Sequence, residues 1–209
     1  DHPINRERIN SGKLPATSIW LWGQGGAPSM KTYQERFDIT GAVISAVDLV
    51  NGIGKCAGFE VIPVEGATGY VDTNYEGKVE AALEALDRHD FVYVHIEAPD
   101  EAAHEGDAPL KIRAIEDFDA KVVRPCLDYA KERGDVRITI GSDHITSIDS
   151  KTHAGGPVPF ILYGPGITSN GRACYSEEEA EKAGLLFPDG HTLVTTMITQ
   201  ETVEFSTVP

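Results

Sequence analysis

Sulfur, basic charge and long apolar runs are all scarce in this chain. Three cysteines in 209 residues, Cys56, Cys126 and Cys174, are odd in number and widely spaced. That argues against a disulfide framework and predicts a reducing, cytoplasmic setting. No apolar run reaches membrane-spanning length, and no signal-peptide pattern stands in these residues. Lysine and arginine number 18 against 33 acidic residues, a formal net charge of -15. So acidic a chain is a poor binder of nucleic acid or of anionic membranes. A phosphate ester could be held only where metal ions or a few cationic side chains offset that charge locally. Neither GxGxxG nor a P-loop occurs, and no nucleophile stands at a strand-to-helix turn.

What is present is the patterning of one α/β domain. Hydrophobic content of 41% and charged content of 24% suit a globular fold with one sizeable core. Short apolar runs alternate with helical periodicity: SIWLW (18–22), GAVISAV, FEVIPV, FVYVHI, VRITIG and VPFILYGPG read as strands. The segment EGKVEAALEALDRHD is helical, with Val79, Leu83 and Leu86 on one face. A long helix is expected from Pro109 to about Arg133, kinked or divided at Pro125, with Ile112, Ile115, Phe118, Val122 and Val123 on its apolar side. VDLVNGIGKCAG reads as a broken helix because Gly52, Gly54 and Gly58 recur. SEEEAEKAG predicts a helix capped by Ser176, and HTLVTTMITQ a last one after Gly190. The expected architecture is a mostly parallel sheet flanked by helices. Residues 1–16 are polar and turn-rich, with no initiator Met, and read as the tail of something upstream.

The stretch from Phe91 to Phe160 carries the chemistry. Each of two strand-like runs, FVYVHI and VRITI, ends in carboxylate and imidazole side chains, which is where open α/β sheets build their sites. Asp100 and His104 share one face if PDEAAH is the first turn of a helix. Asp143 and His144 follow the second run and could bind the same ion or face two neighbouring ones. His153 precedes the next strand. Five oxygen and nitrogen donors without thiolate suit a divalent transition metal such as Mn²⁺, Zn²⁺ or Fe²⁺, with more than one ion expected. Paired ions can polarise a phosphoryl group and activate an oxygen nucleophile.

Taken in order, PDEAAHEGD, KIRAIEDFDAKVV, SDH and THAGGPVPF resemble the cofactor-independent phosphoglycerate mutases of the archaeal-type branch, in the alkaline-phosphatase-like superfamily. IWLWGQGGAP, GAVISAVDLVNGIGKCAG and VEGATGYVDTNYEGK extend the likeness over nearly the whole chain. The resemblance implies that Asp100, His104 and His153 bind one metal, and that Asp143 and His144 bind a second. It also implies two divalent ions, Mn²⁺ foremost, with Zn²⁺, Mg²⁺ or Co²⁺ as alternatives. Lys55 aligns with a lysine near the family's phosphoryl-carrying serine. That serine and a further aspartate belong to an N-terminal segment with no match here, and the family's extra domain is inserted after it.

On this reading 1–16 is the remnant of a linker from the inserted domain, and 17–209 is the C-terminal part of the metal-binding domain. The implied reaction interconverts 2- and 3-phosphoglycerate through phosphoserine, and this chain alone is expected to be inactive without its N-terminal segment. A homoserine kinase-like or phosphatase activity is the alternative, and a metal-stabilised interaction domain a third reading. Ile145 departs from the small or polar residue that often follows the family's DH pair.

Other polar residues carry plainer expectations. His95 reads as a hydrogen-bonded residue of the strand, His89 as a helix-end histidine, and His191 as the start of the last helix. Lys111, Arg113, Asp117 and Asp119 read as exposed helix charges. Trp20 and Trp22, alternating on a strand, read as core.

Overall fold

The computed structural model describes residues 2–21, 23–187 and 189–203. Its centre is a three-stranded parallel sheet in the order β2-β1-β3, built from β1 (Gly41–Ile44), β2 (Glu60–Val61) and β3 (Phe91–Val94). The middle strand β1 is buried along its whole length. Helix α1 (Pro3–Asn10) and helix α2 (Tyr33–Phe37) precede it. Helix α3 (Asp48–Cys56) crosses from β1 to β2, and α4 (Tyr75–Ala85) from β2 to β3. Parallel strands need such crossovers, which is why strand and helix patterns alternate in the sequence.

Past β3 come α5 (Ala98–Glu105) and α6 (Ala108–Phe118), then a π-helical turn at Asp119–Val123 leading into α7 (Arg124–Arg133). The expected division at Pro125 is therefore real. The ring falls in the first turn of α7, and the widened turn before it absorbs the hydrogen bond that Pro125 has no N–H to make. The buried face differs from expectation: Ala114, Phe118, Val122 and Cys126 pack toward Tyr75, Val79 and Ala98, whereas Ile112 and Ile115 are exposed. Small Ala114 lets α6 approach closely, which the larger isoleucines would prevent. Asp117 is not a solvated charge either. It is half-buried and pairs with Lys121 at 3.0 Å.

The remaining strands do not extend the parallel sheet. Strand β4 (Ile138–Gly141) pairs antiparallel with β7 (Phe160–Tyr163), and β5 (Ile145–Ser147) with β6 (Thr152–Ala154) as a hairpin between them. Helix α8 (Glu177–Ala183) starts at Ser176, whose hydroxyl accepts from the Glu179 N–H. The last helix, α9 (Leu193–Thr199), follows a 3₁₀ turn at Gly190–Thr192.

Three further expectations are corrected. SIWLW is not a buried strand: Ile19, Trp20 and Leu21 are at least 84% exposed, and among the described residues no strand receives their backbone groups. Trp22 lies outside the described residues. The first sixteen residues do contain a helix, α1, capped by the His2 side chain and folded back on its own loop through Asn5, which exchanges hydrogen bonds with Ala16. Finally, α3 is a regular helix despite its glycines. Gly54 is where it meets the sheet: a Cβ there would stand 2.5 Å from Val43 Cγ1. The glycine marks a close approach, not a break.

Candidate metal centre

Helix α5 follows β3 after His95, Ile96 and Glu97, with Pro99 in its first turn and Asp100 and Glu101 at its positive end. That start fixes Asp100 one helical turn before His104, and their side chains meet at 3.1 Å (Oδ2 to Nε2). The β5–β6 hairpin brings in His153. Its Nε2 lies 3.1 Å from His104 Nε2 and 3.5 Å from Asp100 Oδ1. Donor atoms of the three residues all fall within 4.8 Å of one another, close enough for one ion. One carboxylate oxygen and two imidazole nitrogens form a donor set that suits a divalent transition metal.

The surroundings orient these donors. The Lys151 carbonyl sits 3.0 Å from His104 Nδ1, and a carbonyl only accepts, so Nδ1 carries the hydrogen and Nε2 is left to bind. That same hydrogen bond, with Asp100 and Glu101 adding their charge, raises the His104 pKa. Lys151 also donates to the Glu105 carbonyl at 2.8 Å, tying the hairpin to the end of α5. Lys111 is not an exposed helix charge: its Nζ donates to the Thr146 carbonyl at 2.8 Å and pins β5 to α6.

Asp143 and His144 stand beside this cluster in the loop after β4. The His144 ring lies 3.8 Å from the His153 ring, centroid to centroid, and its Nε2 is 3.4 Å from Asp143 Oδ2. The two side chains converge, but they offer two donors and not three. Lys55 is exposed in the last turn of α3, and among the described residues no hydrogen bond or ion pair joins it to either cluster.

His95 is occupied within the chain. Glu97 Oε2 lies 3.2 Å from its Nε2, and Ser45 Oγ lies 3.2 Å from Nδ1. Burial holds its pKa below the ordinary imidazole value, and burial likewise raises that of Glu97, helped by Asp100 and Glu101. Beneath them, fully buried Lys78 points its ammonium at the His95 carbonyl, 3.3 Å away. Sequence reasoning passed over Lys78, Lys151 and Thr146. A lysine in a helical repeat and polar residues in a loop carry no periodic signal.

Fold and site together define an α/β protein with a carboxylate–imidazole centre at the ends of its strands. Residues 1–194 match the Metalloenzyme superfamily, and the chain belongs to it. Among similar proteins is a probable 2,3-bisphosphoglycerate-independent phosphoglycerate mutase of Geobacter sulfurreducens, 56% identical over 95% of this chain and 50% of that protein. A 2,3-bisphosphoglycerate-independent phosphoglycerate mutase of Methanothrix thermoacetophila is 50% identical over 95% of this chain and 51% of its own length. The chain thus spans about half the length of these relatives. Among solved structures, the PH0037 protein from Pyrococcus horikoshii superposes with a TM-score of 0.77 at 29% identity, over 99% of this chain and 54% of the other. The cofactor-independent phosphoglycerate mutase from Thermoplasma acidophilum superposes at 0.57 and 27% identity, over 86% and 42%.

Proposed function

We propose that this chain is the metal-binding part of a 2,3-bisphosphoglycerate-independent phosphoglycerate mutase. The observation that carries the reading is the convergence of Asp100, His104 and His153 on one point, in a chain 56% identical to a protein of that name. These three residues would hold one divalent ion, and Asp143 with His144 would contribute to a second. The donor set suits a divalent transition metal, and the family resemblance puts Mn²⁺ first, with Zn²⁺, Mg²⁺ or Co²⁺ as substitutes. Such ions, when bound, neutralise negative charge at a transferring phosphoryl group.

The chain's own part is to place the donors. Helix α5 presents Asp100 and His104 in register, the Lys151 carbonyl sets the His104 tautomer, and the hairpin carries His153 into the same space. Glu97, Asp100 and Glu101 make this end of the sheet strongly acidic. A phosphorylated substrate would be repelled there until cations offset the charge, which fits the chain's overall acidity. The phosphoryl group would pass to a serine outside these 209 residues and return to the other hydroxyl of glycerate. Lys55 would meet it only in the longer protein, and 1–16 would be linker from an inserted domain.

The test uses this chain and a polypeptide extended upstream to the length of the relatives. The extended protein should interconvert 2- and 3-phosphoglycerate without ATP when given Mn²⁺, and this chain alone should not. ATP-dependent phosphorylation of homoserine, or simple phosphate release, by the extended protein would replace the mutase reading. Activity of the short chain by itself would overturn the division of labour.

A further inference from the structure

The two ligand clusters meet at one hydroxyl. Thr146 is 6% exposed and is the cross-strand partner of His153 in the β5–β6 hairpin. Its Oγ1 closes on Asp100 Oδ1 and also lies 3.2 Å from His144 Nδ1. Its carbonyl is held by Lys111. One side chain therefore touches a member of each cluster, from a backbone position paired with a third ligand.

A hydroxyl has a single hydrogen to donate. An ionised carboxylate can only accept, so a bond between Thr146 and Asp100 uses the hydroxyl hydrogen. The contact with His144 can then be made only if Nδ1 is the N–H and Thr146 the acceptor. In the neutral ring that leaves His144 Nε2 as the bare nitrogen, 3.4 Å from Asp143 Oδ2. Two acceptors facing each other without a hydrogen between them are an arrangement that a cation relieves. The rival arrangement has Nε2–H donating to Asp143 and Nδ1 accepting from Thr146, and it deprives Asp100 of its donor. Only the first keeps both of Thr146's hydrogen bonds, to Asp100 and to His144.

We infer that Thr146 is a positioning residue that joins the two centres, holding the Asp100 carboxylate while setting the His144 tautomer that frees Nε2 for a metal ion. The inference rests on the ligand reading above for its metal half, and on hydrogen bonding alone for its tautomer half.

The experiment measures both halves on the 209-residue chain. Two-bond ¹H–¹⁵N correlations of the histidine rings are recorded without metal at about pH 8.5, well above the ordinary imidazole pKa, with His144→Gln to assign the signals. The unmutated chain should show His144 as the Nδ1–H tautomer, and Nε2–H there would overturn the inference without any variant. Thr146→Ser should keep the Nδ1–H form. Thr146→Val, which preserves shape and removes the hydroxyl, should move the population toward Nε2–H, and an unchanged tautomer would overturn the assignment. Zn²⁺ titration should then show affinity about 10–100-fold weaker in the valine variant and near the original in the serine one. Failure of the unmutated chain to bind Zn²⁺ would overturn the metal half and the ligand reading with it. Full binding by the valine variant would overturn the positioning role alone.

Discussion

His104 and His153 face each other through their Nε2 atoms at 3.1 Å, although 49 residues separate them in the chain. One sits in the last turn of α5 and the other on the second strand of the hairpin. Asp100 lies 3.1 Å from one and 3.5 Å from the other, so the three side chains converge on one point. This relationship is the most direct route to an experimental check.

Divalent cations should stabilise the chain. A ligand that binds only the folded state contributes about 2.7 kcal/mol at roughly 100 times its Kd. Mn²⁺ or Zn²⁺ should therefore raise the midpoint of thermal unfolding followed by calorimetry, and chelator should reverse the rise. Asp100→Ala with His153→Ala should abolish it, whereas Lys55→Ala should leave it intact. A shift that survives the double variant would place the ion elsewhere.

Helix α3 should not accept a methyl group at its contact with β1. Alanine is the better helix former by about 1 kcal/mol, but at Gly54 its Cβ would stand 2.5 Å from the Cγ1 of buried Val43. Overpacking of this kind costs about 1–3 kcal/mol. Gly54→Ala is expected to lower the urea midpoint, and Gly52→Ala, which meets nothing within 4 Å, should not.

Acid should weaken the junction between β1 and β3. The Thr40 N–H and hydroxyl both donate to Asp90 Oδ2, at 2.8 and 3.0 Å, and the backbone donor is the main cause of a lowered Asp90 pKa. A carboxyl with a depressed folded pKa stabilises the fold above its unfolded value, near 3.9, and loses that contribution as pH falls through the folded value. The stability difference between the unmutated chain and Asp90→Asn should thus be present at neutral pH. It should shrink as the pH falls below the ordinary aspartate value of about 3.9 in urea titrations. A pH-independent difference would exclude this carboxylate as the cause.

Arg137 should be irreplaceable by lysine. Its guanidinium donates to the carbonyls of Pro165, Met197, Gln200 and Glu201, closing the end of α9 onto the start of β4. Lysine keeps the charge but not the planar fork, so it cannot hold all four carbonyls at once, and the part-buried Met197 carbonyl loses a charge-assisted bond. Hydrogen exchange in Arg137→Lys should accelerate across Leu193–Thr199 while amides of β1 and β3 keep their protection.

Much of this was open to a reader of the sequence. The pairing of Asp100 with His104 follows from helical spacing alone, since positions i and i+4 share a face. The division of the long helix at Pro125 follows from a missing N–H, and the Ser176 cap from its hydroxyl. Errors arose where pattern and packing part company. SIWLW has the composition of a strand but no neighbour among the described residues to pair with. Ile112 and Ile115 have the periodicity of a core face, yet it is Ala114 that is buried, because two helices in close contact select small side chains.

Local chemistry, written residue by residue, determined the donor types, the α/β alternation and the acidic balance. Those properties depend on composition and on contacts a few residues apart. Only the tertiary structure decided that His153 would reach Asp100, that the Lys151 carbonyl would set one histidine's tautomer, and that Thr146 would lie between two clusters. Each of those depends on the seating of the β5–β6 hairpin against α5 and α6. That seating is set by hydrogen bonds between residues 35 to 49 positions apart, and no local pattern records them.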